Sequence, residues 1–141
     1  MSFVSPEPVQ EKQCLPLWIA SQRPRQHLLV QCPFDLFELV AAQAKRLAAP
    51  PIHVCLRSVL RLPSEKEGTL VLGDVSRLGL ADQIALYDWL GADAERLCVI
   101  AITTAPLARL VELGGFLSAL FHRLGAAHFN LTPAEGALWR R

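Results

Sequence analysis

The hydrophobic positions of this chain fall into short, wholly apolar runs separated by longer amphipathic ones. His27–Gln31 (HLLVQ), Ile52–Leu56 (IHVCL), Thr69–Leu72 (TLVL) and Leu97–Ile102 (LCVIAI) are runs of the first kind. Short apolar runs bounded by turn residues predict strands buried on both faces. Leu97–Ile102 is apolar throughout and is therefore expected at the centre of a sheet, with Ala127–Leu131 as a fifth, edge strand. Between them, Phe34–Leu47 predicts a helix with Asp35 near its start and Lys45-Arg46 near its end, both favourable to the helix dipole. Its expected apolar face is Leu36, Leu39, Val40 and Leu47, and Ala49-Pro50-Pro51 stops it. A second helix over Leu80–Leu90 would turn Leu80, Ile84, Tyr87 and Leu90 inward, with Gly91 as its C-cap. Leu107–Leu113, ended by Gly114-Gly115, and Phe116–Leu124 complete the helical set.

Strands alternating with helices predict an α/β domain with a parallel sheet and right-handed crossovers. One domain is expected over residues 1–141, with its core at 27–131. Residues 1–26 read as a helix begun at Ser5-Pro6, broken by Pro16 and anchored by Trp18, followed by a loop at Gln22–Arg25. Arg57–Gly68 reads as a mostly polar connector, and residues 132–141 as a tail with one last helical turn.

Composition supports a folded domain: 52% of residues are hydrophobic and 19% charged, which excludes a disordered chain. A formal net charge of +1 gives no global field for nucleic acid or an anionic membrane, and no local basic patch supplies one, so direct DNA binding is not expected. No apolar run is long enough to span a bilayer, and the first residues, MSFVSPEPVQEK, do not make a secretory signal, so a cytoplasmic location is expected. Cys14, Cys32, Cys55 and Cys98 form no C-x-x-C pair. They read as buried thiols, because a metal site built from Cys32, His53, Cys55 and Cys98 lacks zinc-ligand spacing. His27, His53, His122 and His128 are scattered, and no serine or cysteine elbow accompanies them.

The chemistry of interest sits at the end of the third strand. Asp74 follows the run Gly68-Thr69-Leu70-Val71-Leu72-Gly73, where open α/β sheets place their ligands. Here the chain resembles the AAA+ ATPase domain of bacterial sigma-54-dependent transcriptional activators. Gly68–Val75 (GTLVLGDV) lines up with the Walker B pattern GTLFLDEV, and Val99–Thr104 (VIAITT) with the sensor strand VIAATN. Leu110–Leu124 (LVELGGFLSALFHRL) lines up with LVAEGRFREDLYYRL, and Glu38–Ala41 (ELVA) with the segment after the phosphate loop. The resemblance implies a three-layer P-loop NTPase-like fold of about five parallel strands.

It also exposes what has been replaced. A phosphate loop needs glycines whose N–H groups close on phosphate and a lysine for the outer phosphates. The matching residues run from Gln31 and Cys32 to Glu38 without a glycine, and Phe37 stands at the lysine position. Walker B chemistry needs one carboxylate for Mg²⁺ and one to position water. Gly73 takes the first position and Asp74, shorter by a methylene than the family's glutamate, the second. The sensor asparagine becomes Thr104, whose hydroxyl is expected to satisfy a turn or cap the next helix. Of the arginine-finger pair only Arg123 remains, a candidate for contact with a neighbouring subunit. The vestigial rim is therefore Gln31, Cys32, Phe37, Gly73, Asp74 and Thr104, with no ATP–Mg²⁺ cofactor expected. Asp74 itself is expected to shape a turn.

Only Arg57–Gly68 separates the second and third strands, where the family inserts its GAFTGA loop, and the chain ends at Arg141, so neither a lid nor a DNA-binding segment is expected. Three readings follow. The first is a non-hydrolysing regulatory domain that binds a sigma-54-type activator, another regulator or itself, through the Leu138-Trp139 tail, the Phe116–Leu124 helix or the apolar face the lid would cover. The second is a transcriptional regulator, a fragment of an ATP-dependent activator, with residual ATP binding. The third is an unrelated α/β enzyme, which a polar pocket away from the Gln31–Asp74–Thr104 rim would favour.

Overall fold

A strand with no polar residue along its middle needs neighbours on both edges and cover on both faces, and Leu97–Ile102 has them. In the computed structural model, which describes residues 27–56, 59–91, 96–125 and 127–131, this run is the core of β4 (Arg96–Thr103). It lies between β1 (Leu28–Gln31) and β3 (Glu67–Gly73), with β2 (Ile52–Leu56) and β5 (Ala127–Asn130) at the edges. The order is β2-β3-β4-β1-β5, and every adjacent pair is parallel. The register sets Gly73 opposite Ile102 and Gln31 opposite Thr103. The carboxyl ends of β1, β3 and β4 thus share one rim. The expectations for residues 1–26 and 132–141, including Trp18 and Trp139, lie outside the described residues.

Four helices connect the strands. The first, α1 (Phe37–Leu47), covers one face of the sheet, while α2 (Leu80–Leu90), α3 (Leu107–Glu112) and α4 (Ser118–Leu124) cover the other. The chain runs one way along the sheet from β1 to β2 and the other way from β2 through β3 to β4, so a single crossover hand puts α1 opposite the rest. Under α1, Phe37, Val40, Ala41 and Ala44 pack on Val30, Val71, Ile100 and Ile102. On the other face Leu70, Leu72, Val99 and Ala101 meet Leu86, Leu90, Leu107, Leu120 and Leu124. Each large aliphatic side chain buried in these layers contributes about 1.5–3 kcal/mol.

The inward faces differ from those expected. On α1 the stripe is Phe37, Val40, Ala41 and Ala44, and Leu39 is exposed, because Phe37 at the first turn rotates the buried face. On α2 the buried residues are Gln83, Leu86 and Leu90, whereas Leu80 and Ile84 face outward and Tyr87 is half-buried. Apolar residues surround that helix, so periodicity alone could not choose a face. Gln83 chooses it. Its Nε2 donates to Leu78 O (2.9 Å) and Gly115 O (3.1 Å), and its Oε1 accepts from Leu117 N (2.8 Å). This buried amide ties α2 to the α3–α4 turn. Gly91 holds the C-cap position with its N–H on Asp88 O, but in right-handed geometry (φ −69°) rather than the left-handed form.

The connector between β2 and β3 lies on the α2 face. Leu60 and Leu62 pack against the core there, and Trp89 Nε1 donates to Pro63 O at 3.0 Å. β3 starts earlier than its apolar run suggests. Gly68 adopts φ +86° so that its backbone can approach Pro51, whose carbonyl would lie 2.1 Å from any Cβ at this position. Among the described residues, no helix is long and apolar enough to cross a membrane.

Candidate functional site

The strand–helix junction after β1 is tight. Cys32 N–H donates to Thr103 O at 3.0 Å, which prolongs the sheet, and Pro33 leads directly into a 3-10 turn at Phe34–Leu36 and then α1. No loop remains to wrap a phosphate. Asp35 and Glu38 occupy the first turns, where they complement the positive end of the helix and oppose an anion. Burial, with help from Asp74 and Asp35, pushes the Cys32 thiol up to about 12, so it stays protonated at neutral pH.

Phe37 is 1% exposed, and its ring lies over the end of β3. A Cβ placed on Gly73 would fall 2.7 Å from Phe37 Cζ, 2.8 Å from Cε1 and 3.1 Å from Leu56 Cδ2. Phe37 and Gly73 thus meet as an apolar contact. The absence of a side chain at residue 73 is what admits the ring.

Asp74 comes next and is 6% exposed. Its Oδ1 accepts from Ser76 Oγ at 2.8 Å and from Thr104 N at 3.0 Å, and its Oδ2 accepts from the Thr104 hydroxyl. The exposed Arg77 stands with Nε 3.9 Å from Oδ2 of the buried carboxylate, a loose ion pair. Asp74 thus does more than shape its own turn: it bolts the end of β3 to the end of β4. Thr104 does not cap α3, whose N-cap position is Pro106 with no side-chain bond. The turn is satisfied by its neighbour Thr103, whose hydroxyl donates to Ala105 O at 2.7 Å and accepts from Ala105 N at 3.2 Å. Two adjacent threonines share the work, and nothing in their order distinguishes them in the sequence.

The six rim residues, Gln31, Cys32, Phe37, Gly73, Asp74 and Thr104, gather at the carboxyl ends of β1, β3 and β4. Arg123 does not join them. Its guanidinium lies 4.5 Å from the Tyr87 ring centroid, a cation–π contact, and close enough to His27 to bear on its charge. His27 precedes β1 and accepts from Val99 N through Nδ1 at 3.0 Å, so Arg123 lies toward the opposite, amino end of the sheet. Burial, then Arg123, lowers the pKa of His27.

Beside Asp74, a cleft of about 460 Å³ opens between the end of β2, the connector, the turn that holds Phe34 and the start of α2. Asp74, Arg77 and Asp82 supply its polar groups, and Phe34, Cys55 and Leu60 part of its apolar wall. Arg77 and Asp82 carried no motif that would have singled them out. Cys32 and Cys55 are buried and Cys98 is half-buried, its thiol raised to about 11 by burial. Among the described residues, no group of three or more His, Cys, Asp or Glu is placed to hold a metal.

This architecture is similar to that of solved structures of NtrX. NtrX from Brucella abortus in complex with ATP matches with a TM-score of 0.69 and 14% identity over 94% of this chain and 39% of that one. Its complex with ADP matches with a TM-score of 0.65 and 16% identity over 88% and 36%, and a further NtrX structure at 0.66 and 14% over 91% and 37%. The chain thus spans roughly two-fifths of the NtrX chain it matches. No curated protein sequence matches. The model of the sigma-54 interaction domain matches residues 39–134, most of the chain, and takes in Gly73, Asp74, Thr104 and Arg123. On that match and on the parallel sheet with its flanking helices, the chain belongs to the sigma-54 interaction domain family, with the α/β fold of an AAA+ domain.

Proposed function

We propose that this is a non-hydrolysing AAA+-like domain of the sigma-54 regulators that works through protein contacts. The observation that carries the reading is the Phe37 ring seated on Gly73. Phosphoryl transfer depends on positioned positive charge, from a lysine and a metal ion, around the transferred group. At the two positions that align with those groups this chain has an aromatic ring and a hydrogen atom. A second support is Asp74, which would have to aim an oxygen at a water as a catalytic base. Its Oδ1 already accepts two bonds, from Ser76 and Thr104, and its Oδ2 one from Thr104, and these hold the carboxylate against the end of β4.

Contacts would then carry the regulation. α4 is a poorer surface than its sequence suggests, because Leu120 and Leu124 point into the core. Leu80 and Ile84, one turn apart on the outside of α2, form a better one, at 61% and 45% exposure. The partner is a sigma-54-type activator, another transcriptional regulator or a second copy, met in the cytoplasm. A role for Arg123 between subunits would require it to leave Tyr87. Affinity capture from native cells, read by mass spectrometry, tests this. Enrichment of such a regulator, lost with Leu80→Glu/Ile84→Glu, is expected. Recovery of the protein alone, as a monomer by light scattering, argues against it. A second reading, residual ATP binding, draws on the likeness to NtrX solved with ATP and ADP. It would need a phosphate site other than the β1–α1 junction.

A further inference from the structure

The cleft beside Asp74 enters the reading above only through Gly73 and Asp74, and its chemistry is specific enough to name a ligand class. Its volume, about 460 Å³, lies within the range of small-molecule sites. It opens at the carboxyl ends of β2 and β3, the edge where open α/β sheets bind ligands. Phe34, Cys55 and Leu60 give it an apolar wall. Two carboxylates, Asp74 and Asp82, face one guanidinium, Arg77, so its formal charge is negative. Asp74 Oδ1 is saturated by two donors, while Oδ2 has one short bond from Thr104 and only a loose approach from Arg77. A carboxylate oxygen accepts about two bonds. One acceptor site on a largely buried carboxylate is therefore open to a donor. Arg77 is largely exposed and stands 3.9 Å from Oδ2, and two carboxylates oppose a phosphate or a carboxylic acid.

We infer that this cleft binds a small amphiphilic cation, an organic amine with an apolar or aromatic body, its ammonium on Asp74 and Asp82 and its body against Phe34 and Leu60. Through Asp74 such a ligand would reach Thr104, and through Asp82 the start of α2, whose outer face bears Leu80 and Ile84. The site would give the domain a signal input in place of a nucleotide. It does not depend on whether ATP binds at the β1–α1 junction.

Three aromatic probes of matched size test the charge requirement on the full chain: phenethylamine, phenylethanol and phenylpropionate, followed by amide chemical shifts. Phenethylamine is expected to bind, with shifts at Val75, Leu78, Asp82 and Thr104, and phenylpropionate to bind about tenfold more weakly or not at all. Asp82→Asn, on the rim, should weaken the amine roughly two- to fivefold without unfolding the chain. Leu60→Trp, which fills the cleft, should abolish binding while the remaining spectrum stays folded. The proposal is overturned if the carboxylate or the alcohol binds as well as the amine, if Asp82→Asn and Leu60→Trp leave the amine unaffected, or if none of the probes binds.

Discussion

Gly73 and Phe37 illustrate how one missing side chain fixes a second residue's place. The ring can lie over the end of β3 only because no Cβ stands there. Gly73→Ala should therefore destabilise the fold by about 1–3 kcal/mol through overpacking. In a Phe37→Leu background the same change should cost at least about 0.5 kcal/mol less, since contacting residues are coupled. Denaturant midpoints for the four proteins of this cycle check both statements, and strict additivity would show that the ring is not what excludes the methyl. The sequence singles out these two residues as rim positions. That they touch was not legible there, because the register that brings α1 over β3 is a tertiary fact. Asp74 was legible as a candidate and was partly misjudged, because its partner Thr104 lies on another strand.

At the scale of elements, the strands were readable and the helix faces less so. Apolar runs with turn residues at both ends located β1, β2, β3 and β4 to within two residues at each end. α2 misled because its exposed Leu80 and Ile84 are as apolar as its buried Leu86 and Leu90, and the residue that decides its orientation is polar. Gln83→Glu keeps the shape of the side chain but removes both donors, and adds charge, beside the carbonyls of Leu78 and Gly115. A loss of about 2–4 kcal/mol is expected, together with faster amide exchange in the turn around Leu117. An unchanged melting temperature would remove Gln83 from this role. His27 makes a comparable tie at the other end of the sheet. Because its Nδ1 accepts the Val99 N–H, a proton there would set N–H against N–H. Its pKa is lowered from the ordinary 6.5, so the unfolded chain takes up the proton first. The stability that His27 contributes is complete above that value and falls as pH drops toward its folded pKa. Urea midpoints taken between about pH 7.5 and pH 5 should decline more steeply for the natural chain than for His27→Gln. Parallel declines would contradict the assignment.

At the scale of the molecule, the strand order and the two-sided helical cover are those of an AAA+ domain, and the chain belongs to the sigma-54 interaction domain family. Its β1–α1 junction is the short Cys32-Pro33 step into a 3-10 turn, and its β2–β3 connector is short and fastened to Trp89. Its layers are held by aliphatic packing. At the rim Phe37 and Gly73 add an apolar contact of their own. Calorimetric titration of the full chain with ATP–Mg²⁺ tests this account most directly. It predicts heats no larger than dilution up to about millimolar nucleotide. Saturable binding in the micromolar range, abolished by Asp74→Asn, would contradict it.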